Sequence, residues 1–269
     1  MASTLHKLFI EYLIHSSLQK YQMIENANYI SWKSKVIKFL KDIDLFNMLM
    51  AIISYILWQV SMTTQPNPMH IPPMDASVNY PLSTSKVSKT FLDNLIFFGS
   101  ISTILILYLL SLYFPKHFKK FYLFSSIWSL IMANCFSLAI ASYFKSYVGW
   151  PRPDTYAVCG YNTTYETCKS SKKDKQFLSW PSYHAAQAMA GATYLSFFIQ
   201  KVLPKCVLFD MIGLSMIFSA IYVGATRIRD FKHHPDDVTA GILVGFVVSF
   251  FMWNGAKKRI FVKKEKKKL

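Results

Sequence analysis

The sequence predicts an all-α polytopic membrane protein, a bundle of six transmembrane helices with its polar chemistry at one face. Three observations predict it. Of 269 residues, 52% are hydrophobic and 16% charged, against about a quarter charged in ordinary globular domains. Six apolar stretches are long enough to span, because about 20 residues cross the hydrocarbon core. The basic residues, which set a net charge of +16, gather at the edges of those stretches and in the tail. They do not cover one soluble face, and this argues against nucleic acid as a partner.

Residues 1–43 are polar and amphipathic, with no apolar leader or cleavage site, so the first span is expected to act as an uncleaved anchor. Within them, 32–41 reads equally well as a basic amphipathic helix on an anionic leaflet or as a solvated helix. Residues 44–253 form the six-span domain, with spans near 45–62, 91–114, 121–144, 184–203, 206–226 and 238–253. The last is the shortest, and polar residues at its start are expected to extend it. Residues 254–269 are a polybasic tail suited to anionic lipid. Its ending, Lys266-Lys267-Lys268-Leu269, reads either as a di-lysine retrieval signal or as a stop-transfer cluster.

An even number of spans puts both termini on one side. Cytoplasmic termini place Lys116, Lys119, Lys120, Lys201, Lys205 and the run 257–268 inside, as the positive-inside tendency asks. Segments 63–90, 145–183 and 227–237 then face the lumen or the outside. Asn162-Thr163-Thr164 is a glycosylation acceptor sequence. Cys159 and Cys168 flank it, and a disulfide between them suits an oxidising compartment. Cys135 and Cys206 are read as packing residues. Segment 63–90, with five prolines, is expected to be an irregular loop capping the helices.

Three polar patches fall on this one side. Segment 225–237 holds Arg227, His233 and Asp237. A helix starting near Pro235 would put Asp237 one turn beyond His233, where a carboxylate can hold an imidazole. The second patch, 145–153, supplies Lys145 and Arg152. The third, 180–184, supplies Pro181, Ser182, Tyr183 and His184 at a helix start, which favours an anion. Three cations, two of them planar guanidinium forks, describe a phosphate site. Two histidines from different helices suggest covalent catalysis by one and acid catalysis by the other. His234 lacks these spacings and reads as a solvated loop residue, as do Arg229, Asp230 and Lys232. Adjacent ligands on a turn are poorly placed for a metal at His233-His234-Pro235-Asp236-Asp237. Ala185, Ala186, Ala188, Ala190, Gly191 and Ala192 form a small-residue face for close helix packing.

Lys145 to Arg152-Pro153, Pro181-Ser182-Tyr183-His184, and Thr226-Arg227 to His233 to Asp237 resemble the motifs K-x6-R-P, P-S-G-H and S-R-x5-H-x3-D. These belong to the type 2 phosphatidic acid phosphatase superfamily. The wording around them is similar to its lipid phosphate phosphatase (phospholipid phosphatase) branch. The resemblance covers roughly 91–253. It implies His233 as the nucleophile that forms a phosphohistidine, Asp237 as its orienter, and His184 as the acid that protonates the leaving alcohol and then activates water. It implies phosphate binding by Lys145, Arg152, Ser182, Arg227 and the N–H of Tyr183, with no metal and no cofactor. It also implies an active site at the lumenal or extracellular face, acting on a lipid phosphate within the bilayer. Two positions depart: Thr226 keeps the hydroxyl of a serine, and Tyr183 replaces a glycine. With helical dihedrals Tyr183 still donates its N–H; with positive φ the anion pocket is damaged.

The sequence leaves open the lipid, with polyprenyl diphosphate and sphingoid phosphate as alternatives to phosphatidate. It also leaves open whether the membrane is that of the endoplasmic reticulum or the cell surface, and whether the chain is a homo-oligomer. A catalytically weak member serving as a membrane scaffold is the competing reading, resting on Tyr183. A transporter has little support, because the charges cluster at one face.

Overall fold

Six long helices stand where the apolar stretches are: α1 Leu45–Met62, α2 Lys89–Tyr113, α3 Leu123–Val148, α4 Tyr183–Val202, α5 Val207–Arg229 and α6 Pro235–Ile260. The computed structural model describes residues 32–37, 39, 40 and 42–261. Residues 1–31 and 262–269, which include the di-lysine ending, lie outside the described residues, as do Lys38 and Lys41 of the basic N-terminal segment. The chain divides into a unit 1–45, helical at 32–37, and a unit 46–269 that holds the bundle. Among the described residues the only β pairing is an isolated bridge between Phe121 and Phe261.

Helix α6 is longer than its apolar run. Pro235 opens it, with φ preset and no N–H to leave unpaired, and Lys257, Lys258 and Arg259 close it at the carbonyl end. The polar residues at its start do extend it.

Five helices, α1, α2, α3, α5 and α6, are long and apolar enough to cross a membrane. Helix α4 is not, and here the structure departs from six equivalent spans. The reason is its position. Sixteen of its 20 residues are buried in protein, so it has little need of lipid-facing Leu and Ile. Helix α5 buries only Gly213, Ala220, Gly224, Thr226 and Arg227 and turns Met211, Leu214, Phe218 and Tyr222 outward.

Small residues let α4 sit close to its neighbours. A Cβ on Gly241 of α6 would meet the Ser182 carbonyl, and one on Gly245 would meet the Ala186 carbonyl and the Ala190 nitrogen. The Ser249 hydroxyl donates to the Ala190 carbonyl at 3.0 Å. At the far end of the bundle, Tyr194, Phe198, Trp253 and Phe261 pack ring against ring.

Two loops close the other end. Segment 63–88 is irregular apart from one turn at Ala76–Val78; Lys89 and Thr90, expected from the sequence to belong to this loop, already lie in α2. It straps the end of α3 by Asn67 N–H to Ser146 O (2.8 Å) and Met69 N–H to Gly149 O (3.0 Å). Gly149 ends α3 at φ 62°, and a side chain there would run into the Asn67 carbonyl. Glycine is required on both counts. The 149–182 segment carries a Cys159–Cys168 disulfide, with Asn162 exposed between its two cysteines.

Candidate active site

The three cations come from the ends of two helices, α3 and α5, and share one kind of partner. Lys145, in the last turn of α3, is buried and donates from Nζ to the Leu178 and Ser179 carbonyls, both at 2.8 Å. Arg152 follows the Gly149 turn. Its N–H donates to Gln176 O at 2.8 Å, its Nε to Lys175 O at 2.7 Å and its Nη1 to Lys232 O at 3.4 Å. Arg227, in the last turn of α5, donates to Val87 O at 3.2 Å and Ser85 Oγ at 3.3 Å. Its one carboxylate neighbour, Asp230, is at 3.9 Å and also accepts the Lys86 N–H at 2.8 Å. Backbone carbonyls thus hold the cations in place.

Two donors beside them are unused. Ser182 Oγ and Arg227 Nε are buried without a hydrogen-bond partner. Leaving a buried donor unpaired costs on the order of 1–3 kcal/mol, and such groups in native structures usually mark a missing acceptor. An oxyanion among three cations meets that need.

His233 lies between α5 and α6, only 2% exposed. Its Nδ1 is 3.3 Å from Asp237 Oδ2, one turn into α6. That oxygen also accepts the His234 N–H at 2.8 Å and the Ser179 hydroxyl. Burial, then the fields of Lys145, Arg152 and Arg227, hold the His233 imidazole well below its ordinary pKa. It is therefore neutral. The carboxylate at Nδ1 takes the tautomer with hydrogen there, which leaves the lone pair on Nε2.

His184 is the second residue of α4 and is half-buried, so it is the more open of the two imidazoles. The charges of Arg227, Arg152, Lys145 and Lys89 all reach it. The start of α4 is tied to α6 by Ser182 N–H to Asp237 O at 2.8 Å. Tyr183 is the first residue of α4 and has helical dihedrals, so the backbone is not strained by the loss of glycine. Its ring is buried beneath Lys89 Nζ, 5.4 Å from the ring centre. Its hydroxyl is buried.

All eight site residues expected from the sequence, Lys145, Arg152, Ser182, Tyr183, His184, Arg227, His233 and Asp237, therefore meet at one end of the bundle. Three neighbours do not match their sequence reading as solvated loop residues. Asp230 is buried and braces Arg227 against segment 85–87. Lys232 pairs with the buried Asp154 at 2.6 Å. His234 is the residue before α6, half-buried, with Nε2 at 3.2 Å from the Pro151 carbonyl. Arg229 is exposed, as expected. Sequence reasoning missed Ser179 and Asp154. Asp154 stands directly after Arg152-Pro153, a signal that could have found it; nothing singles out Ser179. Among the described residues no three His, Cys, Asp or Glu side chains converge as a metal ion would need.

Comparison with known proteins agrees with this geometry. The PAP2 superfamily matches residues 123–261. The chain is similar to the probable diacylglycerol pyrophosphate phosphatase 1 of Schizosaccharomyces pombe, 28% identical over 47% of this chain and 53% of that protein. It is similar to the diacylglycerol pyrophosphate phosphatase 1 of Saccharomyces cerevisiae, 23% identical over 70% and 69%. It is also similar to the probable lipid phosphate phosphatase 4 of Arabidopsis thaliana, 31% identical over 40% of each chain. The chain thus spans about half the length, or less, of two of these three curated relatives. No solved structure matches it. With more than half of its residues inside the family match, the chain belongs to the PAP2 superfamily, beside the lipid phosphate phosphatases.

Proposed function

We propose that this chain is a metal-independent lipid phosphate phosphatase that hydrolyses phosphatidate-like monoesters through a phosphohistidine. The phosphate sits among Lys145, Arg152, Arg227, Ser182 and the Tyr183 N–H. His233 Nε2 attacks phosphorus as the bond to the lipid oxygen breaks, and His184 gives that oxygen a proton. His184 then takes a proton from water, the water oxygen attacks phosphorus, and the bond to His233 breaks to release phosphate. Asp237 holds the Nδ1–H and balances the charge that His233 gains. Fixed cations supply the transition-state stabilisation that phosphoryl transfer requires.

One observation carries this reading. A buried, neutral imidazole with its Nδ1 against a carboxylate shares a site with three cations held by backbone carbonyls. The helical start of α4 at Tyr183 weighs against the scaffold alternative. A second reading, a lipid diphosphate, is favoured by Lys89, a fourth cation near His184, where a leaving phosphate would emerge. Two relatives are named for a diphosphate lipid.

The test is phosphate release from a panel of lipid mono- and diphosphates by the purified chain in detergent with EDTA. His233→Ala should lose at least about 10³-fold in turnover, the loss expected of a nucleophile. His184→Ala should lose roughly 10²–10⁴-fold. Retained activity in His233→Ala would overturn the covalent route, and loss of wild-type activity in EDTA would overturn metal independence. The ranking across the panel decides between monoester and diphosphate.

A further inference from the structure

Between Arg227 and His233 the chain turns, and the turn uses a position that favours glycine. Helix α5 is closed by two backbone bonds, Phe231 N–H to Ile228 O and Lys232 N–H to Arg227 O, both at 3.0 Å. Helices that end this way usually place glycine in the left-handed position. Here Phe231 occupies it, at φ 52°. That backbone is unfavourable for any residue with a Cβ, so its surroundings must offset the cost. His233 N–H also donates to Arg227 O, at 3.3 Å, and His233 is thus carried on this turn directly.

Two contacts hold the turn, and both run to the segment after Arg152. The Phe231 ring stacks on Tyr80 with centroids 5.0 Å apart, and Tyr80 N–H donates to Pro153 O at 3.0 Å. The Lys232 ammonium meets Asp154 at 2.6 Å, with the carboxylate side chain 1% exposed and the lysine side chain 14%. The Lys232 carbonyl in turn accepts from Arg152 Nη1 at 3.4 Å. Lys232 therefore joins the turn that carries His233 to the loop that carries Arg152, once through its side chain and once through its backbone. With Asp154 so close, the Lys232 charge is neutralised locally and serves as a brace.

We propose that the Lys232–Asp154 ion pair is a positioning device for phosphoryl transfer. It fixes the His233 turn against the Arg152 loop and so sets where Nε2 stands relative to the bound phosphate. The inference rests on the phosphohistidine reading above. Arg152 needs the pair less than His233 does. When the pair is broken, Arg152 keeps its bonds to Gln176 O and Lys175 O, whereas the turn loses a tie that offsets its left-handed backbone. An attacking atom misplaced by about 1 Å can cost on the order of 10²-fold in rate. Breaking the pair should thus slow the chemistry and leave phosphate binding in place.

The test uses the full chain in detergent micelles with short-chain phosphatidate, well below the thermal midpoint of every variant. Lys232→Met and Asp154→Asn should each lower kcat by roughly 10²-fold. KM and inhibition by inorganic phosphate should stay within about threefold. The double variant should lose no more than either single, because the two residues act as one unit. Lys232→Arg, which keeps the charge, should recover most of the turnover. Thermal midpoints give the same cycle without substrate: the double variant should melt with the singles and not below them. A raised KM and weaker phosphate inhibition in Lys232→Met, with Asp154→Asn unaffected, would make Lys232 a phosphate ligand and overturn the proposal. Losses that multiply in the double variant would also overturn it, as would a Lys232→Arg variant as slow as Lys232→Met. Wild-type kcat in Lys232→Met beside an inactive His233→Ala would overturn the positioning role alone. Full activity in His233→Ala would overturn the phosphohistidine reading itself.

Discussion

An imidazole acts as a base or nucleophile only while its ring is neutral, and the surroundings of His233 enforce that. Burial and three cations disfavour the imidazolium, while Asp237 holds the Nδ1–H. Bringing His233 inside neutral therefore favours the folded state above its unfolded pKa of about 6.5. That contribution is lost as pH falls from there toward the lowered folded value. In ¹⁵N spectra of histidine-labelled protein in micelles, the His233 ring should stay neutral at pH 6. A His233 midpoint at or above 6.5 would contradict the nucleophile assignment. Tyr183 is the other residue whose role rests on its surroundings. Its dihedrals are helical and its ring is buried beneath Lys89. Tyr183→Gly should thus leave turnover within a few-fold and destabilise the fold by roughly 2–4 kcal/mol through the cavity it opens. A large rise in turnover without loss of thermal midpoint would mean that tyrosine obstructs the site.

Helix α4 is the element on which the site depends, because Ser182 and His184 ride on its first turn and α6 holds that turn in place. Gly241 is the contact point: a Cβ there would meet the Ser182 carbonyl at 2.5 Å. Gly241→Ala should lower both thermal midpoint and turnover, by displacing Ser182 relative to Asp237. Gly255, in the same helix, has nothing within 4 Å of an added Cβ. Gly255→Ala should be neutral or stabilising by up to about 1 kcal/mol. Equal effects of the two substitutions, read by thermal unfolding and phosphate release, would remove the packing argument. This element also shows what was legible in the sequence. The spacing of Lys145, Arg152, His184, Arg227, His233 and Asp237 marked out the side chains that the fold brings together at the candidate site, since the proposed chemistry needs those residue types. The carbonyls of Lys175, Leu178, Ser179 and Lys232 carry no such signal, because every residue has one and only the fold aims it. Asp230 and Lys232 looked like loop charges for the same reason: their partners, Lys86 N–H and Asp154, lie 144 and 78 residues away. The polarity of α4 is the reverse case. It weakens α4 as an apolar span, yet it follows from a helix surrounded by protein.

At the scale of the whole molecule, the two ends of the bundle use their positive charge differently. At the His233 end, Arg152 is held by carbonyls, Arg227 by the Val87 carbonyl, Ser85 and Asp230, and Lys232 by Asp154. This charge is accounted for by the site. At the opposite end Lys116, Lys119, Lys120, Lys201, Lys257 and Lys258 gather around one groove. Charge of that kind orients a polytopic chain, so the lysine-rich end should face the cytoplasm. The Cys159–Cys168 disulfide and the exposed Asn162 lie at the His233 end, where a lumenal or outer compartment would suit both. The cysteines make the orientation measurable without any engineered residue. Of four, two are paired, Cys135 is buried, and Cys206, at the entry to α5 on the lysine-rich end, is exposed. In sealed microsomes with the cytoplasmic face outward, a membrane-impermeant maleimide should label Cys206 at once. Any glycan on Asn162 should resist glycosidase until detergent is added. A Cys206 thiol that reacts only after detergent would invert the molecule, and would put His233 and the proposed phosphate site on the cytoplasmic side.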